Sequence, residues 1–146
     1  MNSIDPASLM ALGATAILIV CALLLLPAIF YLLTLMKCLQ RCAPANRALS
    51  PGLVWLLLIP LFNLIWNFFV VINIAKSLGA EFRQRGIAAE PDPGKGVGLA
   101  MAILACCGLI PVAGLFAELA GFVLWIIYWV AVAGFSNKLA AMAAPA

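Results

Sequence analysis

Residues 58–76, "LIPLFNLIWNFFVVINIAK", are the stretch that decides which fold the sequence predicts. A membrane-crossing helix needs about 20 apolar residues, and this stretch is long enough. It also contains three amides, Asn63, Asn67 and Asn73, and a proline, Pro60, near its start. Proline in such a segment marks either a kink or a point where the helix ends, so the stretch permits two topologies.

The composition places the whole chain in lipid. Of 146 residues, 67% are hydrophobic and 9% are charged, whereas soluble domains carry about 25% charged residues. The charged residues divide the chain into four charge-free runs, at residues 6–36, 48–75, 96–117 and 119–137. Each run is roughly as long as a transmembrane helix requires.

These runs predict an all-α, polytopic membrane protein, because they lack the alternating polarity of barrel strands. The expected architecture is a four-helix transmembrane bundle with short loops, forming a single domain. The loop between the second and third helices, residues 79–94, carries both charge signs and two prolines and is expected to be a solvated connector. The predicted helices cover about residues 8–36, 52–77, 95–110 and 115–138.

The basic residues mark topology, and they admit two arrangements. With four full spans, Lys37, Arg41 and Arg47 lie on one side of the membrane and the other five basic residues lie on the opposite side, together with both termini. This small excess of positive charge favours cytoplasmic termini. Alternatively, residues 52–77 form a re-entrant hairpin broken at Pro60, which places all eight basic residues on one side and leaves Asp5 and Glu118 on the other. We expect four spans, because re-entrant backbone survives only when it is buried in protein or lines water.

The three asparagines are predicted to share one broad face of the second helix. At roughly 100° per residue, Asn63 and Asn67 lie about 40° apart, and Asn73 falls on the flank with Trp66 and Trp55. A lone amide in hydrocarbon costs several kcal/mol, so these side chains must face protein or water. The favoured interpretation is hydrogen bonding to other helices and to backbone loosened by Pro60. The alternative is a polar path or a ligand site.

The third and fourth helices supply candidate contact faces. Gly98, Ala102 and Cys106 repeat every four residues as a small-residue ridge, which predicts close helix packing within the subunit or between subunits. Gly121 and Trp125 share one face of the fourth helix, and Trp129 belongs to a mid-span aromatic group that suits a contact surface. These six residues are the predicted interface candidates.

Glu118 is the one acid outside the termini and the soluble segments. We expect it in the first turn of the fourth helix, where a carboxylate meets the positive end of the helix dipole. A proton relay or an ion-binding role is the alternative.

The sequence predicts a protein that is not an enzyme, with no cofactor and no metal site. It has no histidine, so the commonest general base and metal ligand are missing. Cys38 and Cys42 lie one helical turn apart beside Lys37 and Arg41. This setting could lower a thiol pKa, admit acylation or offer two metal ligands, but packing is the favoured role. The basic residues sit at helix ends and form no stripe, so no nucleic-acid partner is expected.

Several segments together resemble a known group of proteins. "IPLFN", "AKSLGAEF", "GKGVGLAMAIL", "IPVAG" and "LWIIYWVAVAGFSNKL" occur in this order within residues 50–140. The pattern resembles a widespread group of small bacterial inner-membrane proteins of unknown function. The resemblance implies a multi-pass location in the bacterial inner membrane and a mobile building block found fused to other domains. It transfers no site residues.

The functional expectation is a non-catalytic accessory or assembly subunit. Such a protein would be surrounded by membrane lipid and would pack against a larger membrane complex or form a homo-oligomer. The rival is a small oligomeric channel or transporter with a path lined by Asn63, Asn67 and Asn73.

Overall fold

The computed structural model describes residues 5–142, and these contain helices and no strand. The all-α prediction is therefore confirmed for this part of the chain. The chain forms two compact units, one ending at Tyr31 and the other beginning at Leu32. The helices are α1 (Pro6–Arg41), a short 3-10 turn (Pro44–Asn46), a 3-10 segment (Pro51–Leu58), α2 (Pro60–Gln84), α3 (Lys95–Cys107) and α4 (Ala113–Ala141).

Three of these helices, α1, α2 and α4, are long and apolar enough to cross a membrane. Helix α3 has 13 residues, so it measures about 20 Å against a hydrocarbon core of roughly 30 Å. The predicted third span is thus too short to cross by itself. The connector before α3 is also shorter than predicted, because α2 continues to Gln84.

In the first unit, α1 presents aliphatic side chains outward. Leu12, Leu18 and Leu23 are 65 to 70% exposed. Such side chains are stable in contact with lipid, and burying each one from water is worth about 1.5–3 kcal/mol. This part of α1 has the surface of a lipid-facing span.

The predicted second span is broken at Pro60. Ile59 has extended backbone angles, with φ −83° and ψ 110°, and Pro60 is the first residue of α2. Proline suits this position, because its fixed φ fits a first turn and its missing N–H has no helical acceptor there. The residues before the break, Pro51–Leu58, form a 3-10 helix instead of continuing α2. We call this segment the re-entrant limb.

The re-entrant limb runs antiparallel to α2. The Trp66 indole donates to the Leu53 carbonyl at 2.9 Å, and the Ala48 amide donates to the Ser77 hydroxyl at 2.9 Å. The eight residues of the limb, at about 2 Å per residue, span roughly 16 Å, half of a bilayer core. The residues just before the limb and the later turns of α2 therefore lie at the same end of the second unit.

Arg85 fixes the ends of three helices together. Its guanidinium donates to the Arg41 carbonyl at 3.2 Å and to the Leu139 carbonyl at 3.0 Å, which satisfies carbonyls at the ends of α1 and α4. It also forms an ion pair of 2.6 Å with Glu81, one turn earlier on α2. Glu81 is 2% exposed and accepts from the Ala43 amide at 2.8 Å. The carboxyl-terminal ends of α1, α2 and α4 consequently lie side by side.

This arrangement differs from the expected single helix over residues 52–77. Because α1 and α2 both end where Arg85 lies, the loops 42–50 and 85–94 share one end of the second unit. The structure thus has the chain reversal at Pro60 of the hairpin alternative, and the side of the membrane on which each basic residue lies stays a prediction. The limb finds the burial it needs, since Val54 and Leu57 are buried. We call this end the basic end; its residues are Lys37, Arg41, Arg47, Lys76, Arg83, Arg85, Lys95 and Lys138.

Helix α3 packs closely between α2 and α4. A methyl group built on Gly98 would lie 2.5 Å from a Val71 methyl and 2.8 Å from the Tyr128 ring. Ala102, one turn further, is 1% exposed. The small-residue ridge therefore packs within the subunit at both positions. Side chains from α1, α2 and α4 complete the core of the second unit, including Leu35, Leu39, Ile74, Leu78, Val132 and Leu139.

Candidate polar groove

Three of the predicted polar residues meet in one groove, which we call the polar groove. Asn63 and Asn67 enter it from α2, and Glu118 enters it from α4. The groove has a volume of about 230 Å³. Its apolar wall comes from α3 and α4 and consists of Met101, Ala105, Gly121, Phe122 and Trp125.

The two amides do not make the hydrogen bonds that the sequence favoured. Within residues 5–142, the side chains of Asn63 and Asn67 hydrogen-bond no other residue, and both are half-buried at the groove. Asn73 lies outside the groove and donates to the Phe69 carbonyl of its own helix at 2.7 Å. Asn63 and Asn67 therefore line the groove, whereas Asn73 is hydrogen-bonded within its own helix.

Glu118 lies deeper in α4 than expected. The helix begins at Ala113 and has no acidic residue in its first turn, so the predicted interaction with the dipole at the first turn is wrong. The carboxylate instead lies directly against Gly108, where a side chain would collide with it. Gly114 in turn packs on the Gly108 carbonyl. These two glycines make the α3–α4 turn tight enough to bring Glu118 over the groove.

The polar groove lies far from the basic end. Glu118 precedes Lys138 by 20 residues on α4, which corresponds to roughly 30 Å along a helix and equals the thickness of a hydrocarbon core. Trp125 lies about 10 Å closer to the basic end than Glu118 by the same spacing. The groove therefore runs from the far boundary of the apolar region into its interior.

The aromatic side chains of α4 lie in different places, Trp125 at the polar groove and Trp129 against α1. Trp125 lines the groove and packs against Phe122, with ring centres 5.7 Å apart. Trp129 packs on Trp125 at 5.2 Å and donates from its indole to the Thr34 hydroxyl at 2.9 Å. Tyr128 is 1% exposed and belongs to the core. Only part of the predicted contact face thus remains on the surface.

The six interface candidates have different surroundings. Gly98 and Ala102 are buried by the chain's own helices, while Cys106 is half-buried. Gly121 and Trp125 line the polar groove. The groove therefore contains two of the predicted contact residues and three of the predicted polar residues. Neither the small-residue and aromatic pattern nor the polar pattern indicated that these residues meet. Phe122 and Met101 are additional members, and the sequence shows them as ordinary apolar residues.

The paired cysteines are packing residues. Cys38 is 0% exposed and Cys42 is 1% exposed. Burial and the nearby Glu81 carboxylate raise the pKa of the Cys42 thiol to about 11. A thiol with this pKa is protonated at neutral pH and reacts slowly. In the part of the chain that the structure describes, no three metal-ligating side chains group together.

Comparison of the chain with models of known families, with curated proteins and with solved structures gave no match.

Proposed function

We propose that this protein is a non-catalytic accessory subunit of the bacterial inner membrane that holds a transmembrane helix of a different membrane protein in its polar groove. The observation that carries the proposal is the meeting of two amides and a carboxylate on the outer surface of a lipid-facing unit. The excess of basic residues at one end favours a cytoplasmic location for the basic end.

The polar groove needs an occupant that can hydrogen-bond. An amide left unpaired in hydrocarbon costs several kcal/mol, and polar side chains at membrane depth usually meet one another across helices. The volume of about 230 Å³ is below the roughly 300–1,000 Å³ of pockets for drug-sized ligands. It suits one or two side chains projecting from a neighbouring helix.

The partner is expected to be a different protein, because a second copy fits the groove poorly. Two copies inserted in the same direction have their basic ends together, about 30 Å from Glu118 by the helical rise. A symmetric contact through the groove would place one Glu118 near the other, and like charges repel. A helix carrying a hydroxyl, an amide or a cation at the matching depth would satisfy the carboxylate and both amides.

A channel or transporter is the second candidate, and the presence of Glu118 beside the amides favours it. The groove, however, is on the surface: Phe122 is 57% exposed and Glu118 is also exposed. One copy does not enclose a path, so transport would require several copies arranged around the grooves.

The experiment compares partner retention by Asn63→Leu, Glu118→Gln and the parent protein after mild detergent extraction. Interhelical hydrogen bonds in membranes are worth about 0.6–2 kcal/mol, so Asn63→Leu should weaken retention of a stoichiometric partner roughly 3- to 30-fold. Ile65→Leu is the matched control, since Ile65 is 69% exposed on the same helix and lies outside the groove. The partner fraction is quantified by mass spectrometry at increasing detergent concentration.

A flux measurement separates the two candidates. The parent protein and Asn63→Leu are reconstituted into liposomes and tested for solute release. A flux that the parent supports and Asn63→Leu abolishes would establish the channel and refute the accessory role. A partner lost equally from Ile65→Leu and Asn63→Leu would also contradict the proposal, because retention would then not depend on the groove.

A further inference from the structure

A second cleft lies at the basic end, between the last turns of α1 and α4. Its volume is about 180 Å³. We call it the headgroup cleft; its lining residues are Thr34, Lys37, Arg41, Ala133, Ser136 and Asn137. Five of the six carry a polar group, and two of these are cations.

The walls of the headgroup cleft are held in a fixed register. Trp129 donates to Thr34 at 2.9 Å, and Arg41 donates to the Ser136 hydroxyl at 2.7 Å. In both pairs the two residues are 95 positions apart in sequence. The last turns of α1 and of α4 therefore run parallel with a constant register. The two hydrogen bonds lie about 10 Å apart along the helices, on either side of the level of Lys37.

The donors of the headgroup cleft point to an anionic ligand. Arg41 donates to the oxygens of Ser136 and Asn137, the latter at 3.3 Å. Because its oxygen acts as an acceptor for Arg41, the exposed Asn137 has its amide protons available to a ligand, whereas Ser136 is only 3% exposed and serves to hold Arg41. The exposed Lys37 ammonium adds three donors. Together they offer a mixed set of charged and neutral donors, as phosphate oxygens require.

The cations of the cleft are not neutralised by the chain. In residues 5–142, the ion pairs are Arg85–Glu81 and Lys95–Asp92. Neither Lys37 nor Arg41 is paired with a carboxylate in that range. An anion bound in the cleft would therefore meet two uncompensated positive charges.

We propose that the headgroup cleft binds a phosphate group, supplied by the headgroup of an anionic phospholipid. On α4, Ile126 and Val130 lie on the same side as Ala133 and are 42% and 66% exposed. They continue the cleft away from the basic end as an apolar track for acyl chains. A lipid whose phosphate sits at Lys37 would place its chains along this track, which free phosphate cannot use.

The test measures lipid binding to the full-length protein by native mass spectrometry. Delipidated protein is titrated with phosphatidylglycerol and with phosphatidylcholine of identical acyl chains. The parent should prefer phosphatidylglycerol, and Lys37→Gln should reduce that preference about fivefold, since one basic residue near an anionic surface contributes about this factor. Lys76→Gln is the control, because Lys76 is exposed on α2 at the same end and does not line the cleft.

A second pair of variants tests the cleft without removing a cation. Asn137→Asp places a negative charge in the cleft and should lower the preference for phosphatidylglycerol at least as strongly as Lys37→Gln. Gln84→Glu places the same charge on the exposed surface of α2 at the same end, outside the cleft, and should have little effect. This pair decides the matter if Lys37→Gln does not fold.

Three results would overturn the proposal. The first is the absence of any preference for phosphatidylglycerol in the parent. The second is an equal loss in the cleft variants and their controls, which would indicate a diffuse surface charge. The third comes from titration with inorganic phosphate: saturable binding that depends on Lys37, without lipid preference, would assign the site to free phosphate and refute the lipid headgroup.

Discussion

Gly98→Leu is expected to destabilise the protein by at least about 3 kcal/mol, because overpacked cores lose roughly 1–3 kcal/mol even where neighbours can move. At Gly98 the first added carbon already lies 2.5 Å from Val71 and 2.8 Å from Tyr128. Both neighbours are buried, at 0% and 1% exposure, so neither can turn away into a void. The measurement is thermal unfolding in detergent, where the midpoint should fall by about 10 °C.

The same helix provides a matched control for this substitution. Gly96 is exposed, and a methyl group added there meets nothing within 4 Å. Gly96→Leu should leave the midpoint unchanged or raise it slightly, because leucine favours helix by up to about 1 kcal/mol over glycine. Asn63→Leu should also cost little, since the Asn63 side chain bonds no other described residue. Equal losses in Gly98→Leu and Gly96→Leu would contradict the packing of α3 between α2 and α4.

Arg85→Met should cost on the order of 3 kcal/mol, the loss typical of removing one partner from a buried ion pair. The substitution leaves Glu81, which is 2% exposed, without its cation. It also removes the donors that hold the carbonyls of Arg41 and Leu139. Unfolding in detergent and susceptibility to proteolysis near residues 42–50 measure the two consequences.

Two further variants make the Arg85 prediction specific. Arg83→Met removes an exposed guanidinium that bonds the Gly79 carbonyl of its own helix, and such surface changes usually stay within about 0.5 kcal/mol. The double change Glu81→Met with Arg85→Met should recover part of the loss, because it leaves no unpaired charge. If Arg85→Met behaves like Arg83→Met, Arg85 does not join the helix ends.

The sequence predicted the helical class and the close packing at Gly98, for reasons that are local. A charge-free run of about 20 residues has few alternatives in lipid. The long apolar helices α1, α2 and α4 draw on three such runs, the second of which is divided at Pro60. The four-residue spacing of Gly98 and Ala102 placed both on one helix face, and both are buried.

We ranked the hairpin below four full spans, because the residues of the limb are as apolar as those of α2. The contacts that decide the topology join Arg85 to residues 44 and 54 positions away, and no helical periodicity reports them. Charge offered the one available signal: a hairpin broken at Pro60 places all eight basic residues at one end. We gave that signal less weight than the cost of burying irregular backbone, which Val54 and Leu57 offset by packing.

The polar groove was missed for a similar reason. Asn63 and Asn67 were grouped with Asn73 because they share a helix face, whereas their neighbour in the structure is Glu118. The tight turn formed by Gly108 and Gly114 brings Glu118 over α2. A glycine pair at this spacing indicates a close approach, but it does not identify the helix that is approached.

We expect residues 51–84 to enter and leave the membrane on one side, and cysteine labelling at three positions tests this. Single cysteines replace Ala45 and Ala88, which are both exposed at the basic end, and Ala113, which is exposed at the α3–α4 turn. A membrane-impermeant maleimide is applied to intact bacterial cells and to lysed cells, with the parent protein as the background for the native thiols. We expect Ala45→Cys and Ala88→Cys to label only after lysis, and Ala113→Cys not to share their side. Labelling of Ala45→Cys and Ala88→Cys from opposite sides would contradict the re-entrant hairpin.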